Sequence, residues 1–373
     1  MPGSVGTPAY LDYNATAPVR PEARAAMLAA LAEPANPSSV HGFGRRARGA
    51  LERARRTVAD VVGAVPGGVV FVSGGTEANN LALRGIGGPA LVSAVEHPSV
   101  LEAGPAVQIP VDGDGRIGLA TLERLIALHR PRLVSVMLAN NETGVVQPVA
   151  EAARLAHAAG ALLHVDAAQA PGRIPVTMGD LGADLLTLSG HKLGGPPGAG
   201  ALVAGEGLAL DPVQRGGGQE LRRRAGTEAL PAILGMAAAI EAIGPGEPER
   251  VRVLRDRLEA GVREACPAAR IVGGGAERLP NTTCLLLPGV EGATQLMALD
   301  MAGVAVSTGS ACSSGKVGPS HVLLAMGVSE AEAGCAIRVS LGWASSEADV
   351  ERFLAVWPAL AARALARRAA ATT

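Results

Sequence analysis

Residues 149–169 read VAEAARLAHAAGALLHVDAAQ: an alanine-rich stretch of helical character, a glycine, then a short apolar run that ends at Asp166. The first part predicts a helix over 149–159 and the second a strand over 161–165. A strand that is apolar at consecutive positions, rather than alternate ones, belongs in a parallel sheet buried on both faces. The same alternation continues outward in both directions. Strands are expected at 68–73 (GVVFVS), 90–94, 133–138 (LVSVML), 184–188 and 200–204, with helices at 76–84 and 121–129 and a buried helix at 231–240. This order predicts an α/β fold built on a mainly parallel sheet.

The GPGEP stretch at 244–248 marks a change of composition. Beyond it come an arginine-rich helix at 249–265, strands near 282–287 and 336–341, and a helical end from 346. We therefore expect a large α/β domain over residues 15–245, and a smaller α+β domain made of residues 1–14 and 246–373.

Composition narrows the functional classes. The chain has 373 residues, 48% hydrophobic and 18% charged, so it buries a full core and is not disordered. A formal net charge of −1 offers no electrostatic footprint for nucleic acid. No run of about 20 apolar residues occurs, so no membrane span is expected. The first 16 residues hold no basic region leading into an apolar one, so no signal peptide is expected. Cys266, Cys284, Cys312 and Cys335 form no C-x-x-C pair, which argues against a metal site and for reduced thiols in a cytoplasm.

Of the 33 basic residues only Lys192 and Lys316 are lysines. Where charge alone is needed the chain uses arginine, so a surviving lysine is a candidate for chemistry that needs a primary amine; a guanidinium forms no Schiff base. Lys192 lies in SGHK (189–192), directly after the strand at 184–188, and Asp166 directly follows the strand at 161–165. Both stand at carboxyl ends of parallel strands, where open α/β sheets place their ligands. A carboxylate there either pairs with a cationic ring nitrogen of a cofactor or caps the next helix. A Schiff-base lysine with an aspartate for the ring nitrogen is the protein's share of pyridoxal phosphate chemistry.

Four further groups are singled out. The SGGTE turn (73–77) either lets backbone N–H groups approach an anion at a helix N-terminus or is a tight turn with Thr76 as N-cap. His97, after the strand at 90–94, either stacks on a ring and moves a proton or sits in a surface turn. Arg338 interrupts an apolar strand and needs a partner, which is either a substrate carboxylate or an internal acid. Cys312 stands in STGSACSSGK (307–316), where seven of the residues 307–315 are Ser, Thr or Gly. An exposed cysteine in such a loop, close to Lys316, is expected to be a reactive thiolate, whereas the other three cysteines have apolar neighbours and read as core.

Taken together these segments resemble the cysteine desulfurases of the class V aminotransferase family, in their NifS/IscS-like group. The resemblance runs from YLDYNAT (10–16) to SLG (340–342) and includes NPSS (36–39), GTE (75–77), EH (96–97), NNETG (140–144), DAAQ (166–169), SGHK (189–192), GGGQE (216–220), RAGT (224–227) and the Cys312 loop. It departs from the family pattern at Ala15, where a threonine is usual, and at Trp343. It implies a fold type I enzyme with a mainly parallel seven-stranded sheet, dependent on pyridoxal phosphate and working as a homodimer. It further implies that Lys192 holds the cofactor as a Schiff base, that Asp166 pairs with the pyridine nitrogen, that Gln169 bonds the ring hydroxyl, and that His97 stacks on the ring and takes part in catalysis. The Gly75-Thr76 turn, Ser189 and His191 would hold the phosphate, joined by Thr227 of the partner subunit. Asn141 and Arg338 would bind the substrate, and Cys312 would take its sulfur as a persulfide. L-cysteine is then the substrate, and a protein such as an iron–sulfur scaffold the sulfur acceptor. A selenocysteine lyase or another class V aminotransferase is the alternative, although an aminotransferase has no use for Cys312. A non-catalytic interaction module is the second alternative, and the full set of Lys192, Asp166, His97 and Cys312 argues against it.

Overall fold

The computed structural model describes residues 8–308 and 318–372, with side chains as far as residue 366. Its first strand, β1 (Ala9–Tyr10), belongs to a small sheet described below. The strands that follow are β2 (Val69–Val72), β3 (Ala90–Ser93), β4 (Val107–Ile109), β5 (Leu133–Ser135), β6 (Leu162–Asp166), β7 (Leu185–Ser189) and β8 (Gly200–Ala204). They form one seven-stranded sheet in the order β2-β8-β7-β6-β5-β3-β4. Pairing is parallel from β7 to β4, and β8 runs antiparallel between β7 and β2. The expected mainly parallel sheet is thus present, and β2, antiparallel to β8, points the same way as β7.

Consecutive residues of a strand point to opposite faces, and each face has its own core. On one side Phe71, Leu163, Val165, Leu186, Leu188 and Val203 meet the helices Gly42–Val61, Val149–Ala158 and Leu230–Glu241. On the other side Val70, Val72, Leu133, Leu185 and Leu202 meet the helix Gly75–Ile86. The unbroken apolar runs in the sequence are the consequence of these two cores.

Downstream lie β9 (Arg270–Ile271), β10 (Thr282–Leu286), β11 (Val304–Ala305), β12 (Ser307–Thr308) and β13 (Ala336–Ser340). They form a sheet ordered β12-β13-β10-β9, while β11 pairs in parallel with β1. A separate core of Leu11, Leu258, Leu285, Ile337, Phe353 and Trp357 joins these strands to the helices Glu247–Ala265 and Glu347–Thr372. Leu11, from the N-terminal segment, is fully buried in it.

Two helices near the start of the chain were not proposed from the sequence: Pro21–Leu31 packs on the helix Leu230–Glu241, and Gly42–Val61 covers one face of the sheet. The second has buried residues at Ala47, Leu51, Ala54 and Val58, a helical spacing that its many arginines obscure. The edge strand β4 was also not proposed, because Val107 and Gln108 are exposed and give no apolar run. The helix after β2 starts at Gly75 with Gly74 as its N-cap residue, so Thr76 is not the cap. Cys266, Cys284 and Cys335 are buried free thiols, as expected of core residues. Cys312 and Lys316 lie outside the described residues.

Candidate active site

The carboxyl ends of β2, β3, β6 and β7 meet along one edge of the sheet, and a cavity of about 460 Å³ opens there. This is the size of a small-molecule site. Gly75, Thr76, His97, Asp166 and Gln169 line it, and so do Ser189, His191, Lys192 and Asn141. Three of the expected residues are placed otherwise. Thr227 is exposed in a smaller pocket that shares Ser73 and Gly198 with the rim of the large one. Arg338 is fully buried in β13, and Cys312 lies outside the described residues.

Asp166 ends β6 and is nearly buried. Its Oδ1 accepts from the Ala168 N–H at 2.9 Å and its Oδ2 from the Asn79 side chain at 2.7 Å. One oxygen caps the following turn while the carboxylate lines the cavity, so the two readings of Asp166 are compatible. Asn79, on the helix Gly75–Ile86, also donates to Ser99 Oγ at 2.9 Å. Ser99 Oγ lies 2.8 Å from His97 Nδ1, which accepts from the Ser99 N–H at 3.1 Å. An accepting Nδ1 leaves the proton of the neutral ring on Nε2. Burial holds His97 below the usual histidine range, against the pull of the Asp166 charge. One asparagine amide therefore ties the carboxylate and the imidazole together.

Lys192 follows β7 by way of the short 3₁₀ turn Gly190–Lys192. Its Nζ donates to the carbonyls of Asn14 and Ala15, the latter at 2.8 Å. The Asn14 carbonyl also accepts from Gln169 Nε2 at 3.1 Å, and Asn14 Nδ2 donates to the Asn141 carbonyl at 3.0 Å. Asn14 thus joins the amine to two other expected site residues. Burial, and after it the Lys192 charge, push His191 down to about 4, so its ring is neutral at physiological pH.

Arg338 Nη2 forms an ion pair with Asp12 at 2.7 Å, and Nη1 donates to the Asn141 carbonyl at 3.2 Å. Its Nε has no partner among the described residues. The internal acid expected as one alternative is present, and donor capacity for a second acceptor remains.

Four side chains of this region escaped the sequence reading as functional groups: Asn79, Asn14, Glu96 and Glu142. Asn79 is a buried amide in a helix whose other buried residues are Ala, Leu, Gly and Ile, and that mismatch is the signal that could have revealed it. Glu96 is fully buried, with Oε1 accepting from the Met137 N–H at 2.5 Å and Oε2 without a partner among the described residues. Burial, with the Asp166 charge adding to it, raises its carboxyl well above the ordinary range. Glu142 follows Asn141 directly in the chain.

The family model described as aminotransferase class-V matches residues 9–353. A cysteine desulfurase of Cereibacter sphaeroides is 45% identical over 366 residues, covering 94% of this chain and 94% of the relative. The X-ray structure of a NifS-like protein from Rickettsia africae superposes with a TM-score of 0.89 at 34% identity, over 95% of this chain and 99% of the other. The structure of SspA in complex with cysteine superposes with a TM-score of 0.80 at 32% identity, over 90% of this chain and 99% of that one.

Proposed function

The chain belongs to the class V aminotransferase family and works as a cysteine desulfurase, and we propose that Lys192, Asp166 and Cys312 carry that activity with pyridoxal phosphate. When bound, this cofactor supplies an electron sink conjugated to the substrate's α-carbon. The cavity suits it: a primary amine, a carboxylate, an imidazole and a glycine-led helix N-terminus face one space. A Cβ on Gly75 would stand 3.4 Å from the Ser189 Cβ, so glycine keeps this cradle open.

Lys192 would hold the cofactor and, once released, move a proton at the substrate's α-carbon. Asp166 would face the pyridine nitrogen, Gln169 the ring hydroxyl, and His97 the ring. Thr76, Ser189 and the neutral His191 would hold the phosphate by hydrogen bonds rather than by added charge. Arg338 and Asn141 would bind the substrate carboxylate. The Cys312 thiolate would attack the Sγ of L-cysteine. The new S–S bond makes a persulfide, the Cβ–Sγ bond breaks with its electron pair going to carbon, and a proton on that carbon completes L-alanine. The change balances without an external oxidant.

We place the division between two structural units at 245/246, with residues 1–14 joining the second. The active unit is a homodimer in which Thr227 of the partner subunit reaches the phosphate; its exposure outside the cavity of its own chain supports this. The acceptor is a protein such as an iron–sulfur scaffold, and the enzyme acts in the cytoplasm. Among the described residues no helix is long and apolar enough to cross a membrane.

The observation that carries this reading is that Lys192, one of the chain's two lysines, meets Asp166 and His97 in one cavity. The test is alanine and sulfide release from L-cysteine with added reductant, for wild type and Cys312→Ser side by side. Turnover by wild type alone is expected. Equal turnover by Cys312→Ser would remove Cys312 from the mechanism.

A further inference from the structure

The described residues on either side of 309–317 are held to Arg338 and to Glu142, the chain neighbour of Asn141. On the upstream side Ser307 of β12 stands opposite Arg338 of β13. On the downstream side Ser320 Oγ donates to Glu142 Oε2 at 2.5 Å, and Glu142 directly follows Asn141. Between these points Arg338 donates to the Asn141 carbonyl. We propose that Glu142 is a positioning residue for sulfur transfer: its hydrogen bond to Ser320 holds the chain, eight positions after Cys312, to the segment that carries Asn141. This rests on the reading of Cys312 as the sulfur-receiving thiol.

The contact is a buried one. Glu142 is 4% exposed and Ser320 3%. Ser320 Oγ also accepts from the Leu323 N–H at 3.2 Å, so the same hydroxyl caps the helix His321–Ala325. The neighbouring His321 Nε2 lies 2.9 Å from the Glu96 carbonyl, one residue before His97. The chain therefore returns from 309–317 onto the wall that carries His97 and Asn141, and Ser320 is its first buried residue there.

A neutral side chain would tie the two segments without the cost of burying an acid. The acid adds a charge-assisted hydrogen bond, roughly twice as strong as a neutral one. It also makes the tie responsive to pH. Burial pushes the Glu142 carboxyl up to about 7, against the pull of the Ser320 hydroxyl and the Arg338 charge. The charged and titratable groups that face it are Arg338 of β13, itself paired with Asp12, and the Cys284 thiol of β10. The tie is strongest when Glu142 is ionised, which is also the pH range that favours a cysteine thiolate.

The test uses the cofactor-loaded enzyme and three variants, Glu142→Ala, Ser320→Ala and Glu142→Gln. Single-turnover persulfide formation on Cys312 is followed by mass, the visible cofactor band and the half-saturating L-cysteine concentration by absorbance, and amide hydrogen exchange across 318–326. Both alanine variants are expected to keep the cofactor band and the half-saturating concentration. Their persulfide formation slows by at least about tenfold, the worth of a hydrogen bond to a charged group, and exchange across 318–326 rises. Glu142→Gln recovers most of the loss, and its rate lacks the inflection near pH 7. Persulfide formation at the wild-type rate in both alanine variants overturns the proposal. So does a loss of rate that merely follows a loss of the cofactor band, which would make the contact a fold tie. Cys312→Ser runs alongside: a persulfide formed without Cys312 overturns the underlying reading, and this proposal with it.

Discussion

The Arg338 guanidinium is paired with Asp12 at 2.7 Å, at a strand position with no exposure to solvent. Asp12 comes from the N-terminal segment, and Arg338 pairs across the sheet with Ser307 of β12. The pair offsets the charge of a buried cation that would otherwise be costly. It also leaves Nε without an acceptor among the described residues. A bound substrate carboxylate would share this guanidinium with Asp12 rather than replace it.

Removing the guanidinium should therefore act on substrate binding more than on the cofactor. Arg338→Ala is expected to lower kcat/KM for L-cysteine by about 10²-fold or more, the worth of one or two charge-assisted hydrogen bonds. The visible cofactor band should remain. Arg338→Lys should recover little, because a point charge does not reproduce the planar fork. Steady-state kinetics with absorbance on the same samples checks this, and unchanged kcat/KM in Arg338→Ala would move the carboxylate site elsewhere.

Lys192 and Cys312 should separate cleanly in absorbance. Lys192→Ala is expected to lose the visible band of the covalently held cofactor and all turnover. Cys312→Ser should keep the band and form no persulfide. A wild-type band in Lys192→Ala would sink the cofactor assignment.

Asn79 donates to Asp166 at 2.7 Å and to Ser99, which in turn contacts His97. Asn79→Ala is expected to weaken cofactor binding by roughly tenfold, from the loss of one hydrogen bond to a charged group. Asn79→Asp should do worse, since it sets a second carboxylate against Asp166 and offers no donor to it. Titration of the apoprotein with cofactor measures both, and equal affinities for wild type and Asn79→Ala would leave Asn79 a packing residue only.

The sheet was legible because its strands, the edge strand β4 apart, are buried on both faces, and the sequence shows this as continuous apolar runs. The positions of Asp166 and Lys192 followed, since a polar residue closing such a run must stand at the sheet edge. Gly42–Val61 was less legible, because its many arginines, one of them the buried Arg55, mask the apolar stripe. The strands of one or two pairs, β1, β9, β11 and β12, take their form from partners distant in the chain, which no local pattern announces. The same holds for Asn14, Asn79 and Glu142. Each is a polar residue whose meaning comes from a partner 85 or more positions away: Asn14 with Asn141, Asn79 with Asp166, Glu142 with Ser320. Of the two readings of Arg338 the structure shows the internal acid, Asp12, with Nε left without an acceptor among the described residues; the substrate carboxylate is the proposal built on that spare donor.

Stability should depend on pH through buried groups of opposite sign. Glu142 has a carboxyl raised from 4.5 to about 7, so the folded state holds its proton over a range in which the unfolded chain has released it. Its contribution is fully present below pH 4.5 and is lost as pH rises through about 7. Burial moves His164 the other way, from 6.5 down to about 4, and its ring bridges Ser135 and Thr187 across β5, β6 and β7. That contribution is present above pH 6.5 and is lost as pH falls toward 4. The wild-type curve sums these effects, so the comparison with Glu142→Gln is what isolates the acid. The variant stays neutral in both states, and should match wild type near pH 4.5 and grow more stable than it by up to about 3 kcal/mol above pH 7. Urea unfolding of the holoenzyme at several pH values measures this difference. Parallel curves would mean that Glu142 titrates as an ordinary carboxylate. A gain in stability alongside slower persulfide formation at low pH would mark Glu142 as an acid kept for its charge, at a cost to the fold.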